Sequence, residues 1–408
     1  MKNYVIIGGG IASLGCIDGI RSADSDGKIT MICGESFPPY ARPLISYYLE
    51  DKTTIEKMQY RSDEFYKTKN VDVVLNSNVT KIDKKSVICD DGKEYEYDKL
   101  LVATGSSPFV PPMKGLDTVE KKFTFMTIDE TLELEKSIYA EAKVLIVGAG
   151  LIGLKCAEGI KDKVGEIVVC DLADKVLSSI LDKECADMVQ KKIEESGIEF
   201  MLSDSVDEFK GNTAIMKSGA NVDFDILVLA VGVRPNTSLL KEAGAEINRG
   251  VIVDDRMATT VDDIYAAGDV AESNDITSNT KKVMAILPNA YMGGFCAGVN
   301  MADAEKVFDN QIPMNSIGFF GYHIMTAGSY DGELYEEKCD DCIKKLYIKD
   351  NKLIGFILIG KVEKAGIYTS LIRNKTPLDT IDFEEIKKNP SLLPFSLEYR
   401  RKNLGGVL

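Results

Sequence analysis

The chain contains 408 residues, 45% of them hydrophobic and 28% charged, which is typical of a globular protein and excludes a disordered or fibrous chain. Its 49 Lys and Arg against 64 Asp and Glu give a net charge of −15, which argues against nucleic acid and anionic membrane surfaces as partners. One His, no Trp and no apolar run near the roughly 20 residues of a membrane span argue against a Ser-His-Asp hydrolase, a His-rich metal site and an integral membrane protein.

The first residues carry no pattern of a secretory signal. Lys2 is the only early positive charge, and the apolar run at residues 5–7 is too short for a signal-peptide core. Several of the nine cysteines lie inside apolar stretches, where a thiol behaves as a small hydrophobe. We therefore expect reduced thiols, a cytoplasmic protein and no bound metal.

The sequence contains an internal repeat. Residues 4–20 read YVIIGGGIASLGCIDGI, and residues 144–160 read VLIVGAGLIGLKCAEGI. Each copy combines an apolar strand, a glycine-rich turn and a helix with apolar residues at helical spacing. A second pair also repeats, DKLLVATGSSP at 98–108 and DILVLAVGVRP at 225–235, and its uncharged apolar runs are typical of buried parallel strands. One glycine-rich turn would be a weak signal, but two matching copies predict two dinucleotide-binding units.

The glycines of each turn have separate tasks in such a unit. The first allows a tight bend, and the second leaves room for a pyrophosphate at the N-terminus of the helix. These glycines are Gly8 and Gly10 in the first copy, and Gly148 and Gly150 in the second. A third small residue lets the helix pack on the strand; it is Gly153 in the second copy and a serine in the first.

An acid after the second strand of each unit indicates the nucleotide. Asp171 follows the strand predicted at 167–170, where a carboxylate hydrogen-bonds a ribose 2′-hydroxyl. Because this charge would repel a 2′-phosphate, we expect NADH rather than NADPH, although Lys175 lies nearby in sequence. In the first unit Glu35 is the only acid available, and we assign it to the ribose of the first nucleotide.

Five motifs occur in one order: GGGIAS, ATGSSP at 103–108, GAGLIG at 148–153, AVGVRPN at 230–236 and TTVDDIYAAGDVAE at 259–272. This order resembles the FAD-dependent pyridine nucleotide oxidoreductases and covers about residues 1–400. The resemblance implies an α/β fold with two Rossmann-like dinucleotide-binding domains of the three-layer, glutathione reductase-like type, plus a small α+β C-terminal domain. It also implies FAD and NADH as cofactors, with NADH delivering a hydride to the flavin.

The resemblance also implies which residues bind each cofactor. In this family the final Asp, here Asp269, hydrogen-bonds the ribityl chain of FAD. The residues implied for FAD are Gly8, Gly10, Ile11, Ala12, Ser13, Glu35, Arg42, Pro43, Val79, Ala103, Thr104, Gly105, Gly268 and Asp269. The residues implied for NADH are Gly148, Gly150, Leu151, Ile152, Gly153, Asp171 and Gly232.

The segment PPYARPLIS at 38–46 resembles rubredoxin reductases, oxygenase-type ferredoxin reductases and the amino-terminal part of assimilatory nitrite reductases. This resemblance implies that Arg42 and Pro43 line FAD in this chain. The next position carries a redox Cys in NADH oxidases, NADH peroxidases and coenzyme A-disulfide reductases, whereas this chain has Tyr47. The C-x4-C pair of glutathione reductase-type enzymes is also missing, so disulfide reduction and thiol-based peroxide reduction are disfavoured. Tyr47 would stack near the flavin or pack beneath the FAD.

Lys155 stands where many relatives have Glu, near the junction of flavin and nicotinamide. A lysine there would favour the anionic reduced flavin by Coulomb attraction. The alternative is a solvated helix lysine. Lys155 and Tyr47 are therefore the two candidate catalytic residues.

We expect an FAD-binding domain at residues 1–112 and 245–313, an NAD-binding domain at 113–244 and a C-terminal domain at 314–408. Small residues at 293–298 would let the helix that follows residue 287 approach the flavin end closely. Apolar runs at 345–348 and 353–359, separated by Asp350-Asn351-Lys352, predict a β-hairpin.

Cys339 and Cys342 form a C-x-x-C pair with two Asp between the thiols. One such pair is two ligands short of a zinc site, and its acidic setting disfavours a redox role, so we expect a surface turn. Residues 392–408 would pack as a C-terminal segment, with a partner-docking or membrane-docking tail as the alternative.

The leading hypothesis is an NADH-dependent FAD reductase that passes electrons singly to a small redox protein, a rubredoxin or a ferredoxin-like protein, with rubredoxin favoured. Such partners are acidic, so docking would need a local basic patch, for which Lys344, Lys345 and the cluster at 400–402 are candidates. The alternatives are a flavoprotein component of a nitrite reductase-like system, an NADH oxidase, and a scaffold flavoprotein that binds NADH as a conformational ligand. The chain would be a monomer or a homodimer.

Overall fold

The computed structural model describes residues 1–396 and residue 400. These residues form two compact units. The first contains Met1–Ser273 and Lys282–Phe308, and the second contains Asn274–Lys281 and the residues from Asp309 onward. Both copies of the internal repeat therefore lie in the first unit.

The helices of the first unit include the two that follow the glycine-rich turns. The α-helices are Ile11–Ala23, Ile45–Leu49, Ile55–Met58, Asp63–Thr68, Ile128–Ser137, Leu151–Ile160, Lys183–Glu194, Ser238–Glu242 and Leu287–Met301, with 3-10 helices at Arg42–Leu44 and Leu116–Thr118. The helix Ile128–Ser137 begins with a complete capping box, in which Thr127 and Glu130 each bond the other's backbone N–H.

Two five-stranded parallel sheets form the centre of this unit. The first has the strand order Ile264–Ala266, Lys99–Val102, Asn3–Ile7, Lys28–Ile32 and Val71–Val74. The second has the order Lys122–Phe123, Ile226–Leu229, Lys143–Val147, Glu166–Asp171 and Ile198–Leu202. In each sheet the first strand of the repeat lies between the strand that follows it in the chain and the strand of the second repeated motif. The predicted pair of Rossmann-like domains is thus confirmed.

Smaller strands complete the first unit. Two antiparallel three-stranded sheets contain Val79–Ile82, Ser86–Cys89 and Glu94–Glu96, and Val206–Lys210, Thr213–Met216 and Asn221–Asp223. The remaining strands are Ser106–Pro108, which pairs with Val233–Pro235, and the short strand Val251–Ile252; the strands Ala271–Asp275 and Thr280–Val283 have residues in both units. The pair Ser106–Pro108 and Val233–Pro235 joins the two ATGSSP-type motifs directly.

Glycines determine how two helices of the first unit cross. A Cβ on Gly294 would overlap the carbonyl oxygen of Ala12, and one on Gly298 would overlap that of Cys16. The small residues of the helix Leu287–Met301 thus face the backbone of the helix Ile11–Ala23. These glycines approach a neighbouring helix and not the flavin end that was predicted for them; it is Leu287 and Ala290 that border the cavity described below.

The second unit is an antiparallel five-stranded sheet covered by helices. Its strands, in spatial order, are Met314–Phe319, Tyr322–Gly328, Lys352–Ile359, Cys342–Lys349 and Glu333–Cys339. Its helices are Ala365–Arg373 and Phe383–Lys388, with a 3-10 turn at Leu378–Thr380. The predicted hairpin is confirmed: Asp350 and Asn351, both with positive φ, form its two-residue turn.

Two expectations about this unit need correction. Cys339 and Cys342 do lie at a surface turn, but they form a disulfide, so the expectation of reduced thiols is wrong for this pair. The other seven cysteines are buried and form no disulfide. The proposed basic patch is also wrong at two positions: Lys345 is buried beside Glu336 at 3.2 Å, and Lys344 pairs with Glu337. Most of the cluster at 400–402 and of the predicted tail lies outside the described residues.

A membrane-crossing helix needs about 20 predominantly apolar residues, and no helix among the described residues meets this requirement in length and hydropathy.

The helix crossing predicts a contrast between adjacent glycines. We expect Gly294→Ala to destabilise the fold by about 1–3 kcal/mol, because the added methyl meets a carbonyl oxygen that cannot move alone. Gly293→Ala is the control: its methyl would meet the flexible Met257 side chain, with Sδ at 3.2 Å, in the same helix. We expect the control to change stability by less than about 1 kcal/mol. Urea unfolding followed by circular dichroism measures both, and equal effects would contradict the crossing described.

Candidate functional site

A cavity of about 490 Å³ opens where the strands Asn3–Ile7, Lys28–Ile32 and Lys99–Val102 end. Ligands of doubly wound sheets bind at this carboxyl edge. The residues predicted to bind FAD that line it are Gly8, Gly10, Ile11, Ala12, Glu35, Arg42, Val79, Ala103, Thr104, Gly105, Gly268 and Asp269. Ser13 and Pro43 are the predicted residues that do not line it.

Ser13 stabilises the first glycine-rich turn from outside the cavity lining. It is fully buried, and its hydroxyl donates to the carbonyl oxygen of Gly8 at 2.7 Å. In the second copy a Cβ at the equivalent Gly153 would overlap the carbonyl oxygen of Gly148. The serine therefore holds the first turn with a hydrogen bond where the second turn relies on close packing. Pro43 lies within the 3-10 helix Arg42–Leu44.

The glycine-rich turns have the predicted geometry. Gly8 and Gly148 have φ of 119° and 118°, and a Cβ on either would overlap a backbone carbonyl, that of Ala103 or Ala230. By contrast, nothing lies within 4 Å of a Cβ built on Gly10. The same holds at the equivalent glycine of the second turn. The first glycine is therefore required by the fold, and the second leaves open space before the helix N-terminus.

The carboxylate of Glu35 belongs to a network of side chains at the cavity wall. The Tyr40 hydroxyl donates to Glu35 Oε2 at 2.6 Å, and Arg42 forms an ion pair with Glu35 Oε1. Tyr40 also accepts from the Ile128 backbone N–H at 3.1 Å, and Arg42 donates to the carbonyl oxygen of Met126 at 3.0 Å. The acid predicted to bind ribose is thus connected to the N-terminus of the helix Ile128–Ser137. Sequence reasoning missed Tyr40, although it lies inside the PPYARPLIS segment.

Asp269 also lines the cavity. Its Oδ2 accepts from the Ser106 hydroxyl at 3.2 Å. Burial raises the pKa of the Asp269 carboxyl, against the hydrogen bond from Ser106 and the charge of Arg42, which lower it. This carboxylate faces the cavity with one neutral hydrogen bond, as expected of a group that accepts from a ligand hydroxyl.

Other cavity residues were not predicted. The Tyr60 hydroxyl is buried in the wall without a hydrogen-bond partner, and burial raises its pKa. Asn236 Nδ2 donates to the carbonyl oxygen of Thr104 at 2.9 Å and thereby joins the two repeated motifs. Met126, Thr127, Glu130 and Asn236 line the cavity although they belong to the range predicted for NAD binding. Tyr40 and Asn236 lie in motifs that could have signalled them, as do Gly9, Ser106, Ser107, Pro108 and Ala267, which also line the cavity.

The cavity fits FAD on chemical grounds. It combines open space at a helix N-terminus for phosphates, a guanidinium at Arg42, an unpartnered hydroxyl at Tyr60 and a carboxylate at Asp269. Its shape follows the glycine-rich turn along the ends of three strands, as an extended dinucleotide requires. Across residues 1–396, no cluster of three or more His, Cys, Asp and Glu could hold a metal ion.

The second glycine-rich turn is held by the predicted ribose acid. Asp171 Oδ2 accepts from the Ala149 backbone N–H at 2.7 Å, and Oδ1 accepts from Ala173 at 2.8 Å. Asp171 therefore positions the turn between Gly148 and Gly150. Leu151 and Ile152 begin the helix Leu151–Ile160, half-buried, and Gly232 is exposed with φ of 106°.

Tyr47 and Lys155 contact each other. The Lys155 ammonium lies 4.8 Å from the centroid of the Tyr47 ring, and its Nζ is 2.6 Å from Glu158 Oε2. The lysine side chain is 18% exposed, so it is not the solvated helix lysine of the alternative. Neither Tyr47 nor Lys155 is among the described residues that line the cavity.

One cysteine lies among the described residues that line the cavity. Burial, with a smaller contribution from Glu35, raises the pKa of the Cys33 thiol to about 12. Such a thiol stays protonated and unreactive at neutral pH. The cavity therefore offers no thiolate partner for a bound flavin.

Comparison with known proteins decides the family. The family model of the pyridine nucleotide-disulphide oxidoreductases matches residues 2–294. The chain belongs to this family. It is 30% identical over 390 residues, 92% of each chain, to the NADH-dependent phenylglyoxylate dehydrogenase subunit epsilon of Aromatoleum evansii.

Two further relatives have acceptors in their names. Identity is 30% to Nitrite reductase [NAD(P)H] of Bacillus subtilis, covering 97% of this chain and 50% of the relative, so the chain spans half of that protein. Identity to Rubredoxin-NAD(+) reductase of Pseudomonas putida is 29%, and the match covers 70% of this chain and 76% of the relative. The crystal structure of NADH:rubredoxin oxidoreductase from Clostridium acetobutylicum has the same fold, with a TM-score of 0.74, 23% identity and coverage of 95% and 99%.

Membership assigns the class of activity. This pyridine nucleotide-disulphide oxidoreductase is an NAD(P)H-dependent oxidoreductase that uses FAD. The predicted family, fold class and cofactors are confirmed, while the choice between NADH and NADPH rests on Asp171.

Asp269 and Asp263 should respond oppositely to pH. Since the folded-state pKa of Asp269 is raised, its ionised form destabilises the FAD-free protein, and this cost disappears as the pH falls through that pKa. We expect FAD-free Asp269→Asn to be more stable than the wild type at pH 7 by about 1 kcal/mol. The gain should vanish near pH 4, about the ordinary Asp pKa. FAD should bind about tenfold more weakly, a change of about 1.4 kcal/mol.

The matched control is Asp263→Asn. Hydrogen bonds from Lys99 and Lys85 lower the pKa of Asp263, so its ionised form stabilises the fold. This replacement should destabilise the protein at pH 7, and the loss should persist at about pH 4, since it fades only below the ordinary Asp pKa. Urea unfolding at both pH values and FAD titration measure these effects. A loss of stability in FAD-free Asp269→Asn at pH 7 would contradict the role of burial.

Proposed function

We propose that this oxidoreductase takes electrons from NADH and delivers them singly to a small redox protein, with rubredoxin as the favoured acceptor. The observation that carries the proposal is the absence of a reactive thiol at the cavity: Tyr47 occupies the position of the redox Cys, and Cys33 is protonated and buried. Electrons therefore have no sulfur relay at this site and leave to an external acceptor. The named activity of the Pseudomonas putida relative supports rubredoxin.

The proposal gives each part of the chain a task. When bound, FAD supplies the chemistry, accepting a hydride from NADH and returning its two electrons one at a time. We propose that residues 1–112 and 245–313 bind FAD and residues 113–244 bind NADH. Arg42 and the open space at Gly10 would hold the FAD diphosphate, and Asp269 would accept from its ribityl hydroxyls. Asp171 would bind the NADH ribose beside the turn that it already positions.

A second candidate is supported by the relative that matches over 92% of both chains. That relative is named as a subunit of a dehydrogenase, so this chain would serve as the NADH-linked flavoprotein subunit of a larger enzyme. The net charge of −15 favours this candidate over free docking to an acidic partner, because two acidic proteins repel each other. The two candidates share the flavin chemistry and differ in whether the acceptor dissociates.

Anaerobic stopped-flow reoxidation distinguishes these acceptors. The holoenzyme is reduced with NADH and mixed with rubredoxin, ferredoxin, oxygen or ferricyanide; ferricyanide shows that the flavin is competent. We expect rubredoxin to reoxidise the flavin at least about tenfold faster than oxygen, a difference of about 1.4 kcal/mol in barrier. Raising salt should slow this step if a local basic patch attracts the partner. Fast ferricyanide reduction with slow rubredoxin reduction would reject rubredoxin and leave the subunit role.

The charge pair at Lys155 predicts a shift of flavin potential. We expect Lys155→Met to lower the midpoint potential by about 30 mV, equivalent to about 1.4 kcal/mol for two electrons, because a positive charge that favours the reduced flavin is lost. Glu158→Gln should raise the potential, and the double variant should lie between the two. Spectroelectrochemical titration measures all three. An unchanged potential in both single variants would show that this pair does not act on the flavin.

A further inference from the structure

We propose that Cys339 and Cys342 form a second redox centre of this chain, a dithiol/disulfide pair that exchanges two electrons with dithiol reductants. This site lies wholly in the second unit and is separate from the cavity described above. It does not depend on which protein accepts electrons from the flavin.

The backbone holds both sulfur atoms within bonding reach. The strands Glu333–Cys339 and Cys342–Lys349 are antiparallel, and Cys339 is the direct partner of Cys342 across a two-residue turn. Their Cα atoms lie 5.0 Å apart, within the range that a disulfide spans. The same register continues along the hairpin to Glu333 and Ile348, so this pairing persists when the disulfide opens. Reduction and reoxidation therefore require no rearrangement of the sheet.

This pair is accessible, unlike the other cysteines. Cys339 is exposed and Cys342 is half-buried, whereas the seven cysteines outside the disulfide are all buried. Burial raises the pKa of thiols such as Cys16, Cys156 and Cys170, which keeps them protonated at neutral pH. Thiol exchange in the native protein is thus confined to Cys339 and Cys342.

A purely structural role explains this disulfide poorly. The stabilisation from a disulfide grows with the loop it closes, and this one closes the shortest loop of a hairpin already held by strand pairing. The turn is also anchored on its other side, where a Cβ on Gly360 would overlap the carbonyl oxygen of Asp341. Removing the disulfide should therefore cost little stability.

The charges around the turn select the thiol. Asp340 and Asp341 are exposed between the two cysteines, whereas the nearby Lys338 and Lys344 pair with Glu336 and Glu337. The negative charges of these Asp residues repel an anionic thiol such as glutathione, whereas a neutral or cationic thiol meets no such repulsion. The substrate class is therefore an uncharged or cationic dithiol, or a protein dithiol with a basic surround.

The reaction balances as thiol–disulfide exchange. A thiolate of the reductant attacks one sulfur atom, forming a mixed disulfide and releasing the other cysteine as a thiolate. The second thiol of the reductant then attacks the mixed disulfide and frees the first cysteine. Two electrons and two protons pass to the pair, and the reductant becomes a disulfide. NADH through the bound flavin could supply the same two electrons, and the experiment separates the two sources.

The test counts thiols in the native FAD-loaded protein. The protein is oxidised with diamide, which is then removed, and is incubated anaerobically with dithiothreitol, with NADH or with buffer, treated with N-ethylmaleimide and analysed by intact mass. We expect two adducts with dithiothreitol, none with buffer, and complete loss of the two adducts on reoxidation. Two adducts with NADH as well would assign the flavin as an electron source, whereas none would assign the external dithiol alone.

Two variants make the outcome decisive. The double variant Cys339→Ser with Cys342→Ser should give no adducts and should unfold within a few degrees of the wild type. The variant Asp340→Asn with Asp341→Asn should react with glutathione about tenfold faster while its rate with cysteamine rises little. Three results would overturn the proposal: a disulfide that dithiothreitol does not reduce, two thiols that do not re-form the disulfide on reoxidation, or a double variant that is unfolded.

Discussion

The first strand of each nucleotide-binding fold ends in a turn that leaves no room for a side chain. At Gly8 a Cβ would overlap the carbonyl oxygen of Ala103, and at Gly148 the overlap is with Ala230. Each carbonyl follows the neighbouring strand of the second repeated motif, so one contact fixes the turn, the strand pairing beneath it and the direction of the helix that follows. Two residues further on, at Gly10 and Gly150, the helix presents its N-terminus to open space, and this space depends on that contact.

The repeat made the fold predictable because it combined local patterns with an internal check. Two apolar strands followed by glycine-rich turns required two sheets of the same order, and the sheets have that order. The hairpin turn at Asp350-Asn351 was predictable for a similar reason, since its signal is contained in a few adjacent residues. Much of the cavity lining followed from motifs whose residues meet at the carboxyl edge of one sheet.

Side-chain partners at longer range were not predictable. Nothing in the sequence indicates that Tyr40 and Arg42 hold the carboxylate of Glu35, or that Lys345 is buried against Glu336. Such pairs depend on which strands and turns become neighbours, and they have no period along the chain. The disulfide between Cys339 and Cys342 was not predicted, because it depends on the pairing of the strands Glu333–Cys339 and Cys342–Lys349, which no predicted hairpin included.

The network around Tyr40 means that both predicted nucleotide-binding ranges contribute to the cavity proposed for FAD. Met126 and Ile128 bond Arg42 and Tyr40, and Glu130 and Asn236 also line the cavity, although all four belong to the range assigned to the other nucleotide. Excising that range to obtain a minimal flavoprotein would remove part of the cavity wall. Grafting in the corresponding range of a relative, to change nucleotide preference, would likewise transplant cavity residues unless those positions were retained. The two predicted nucleotide-binding ranges are therefore distinct in sequence, but neither can be removed or exchanged without changing the cavity wall.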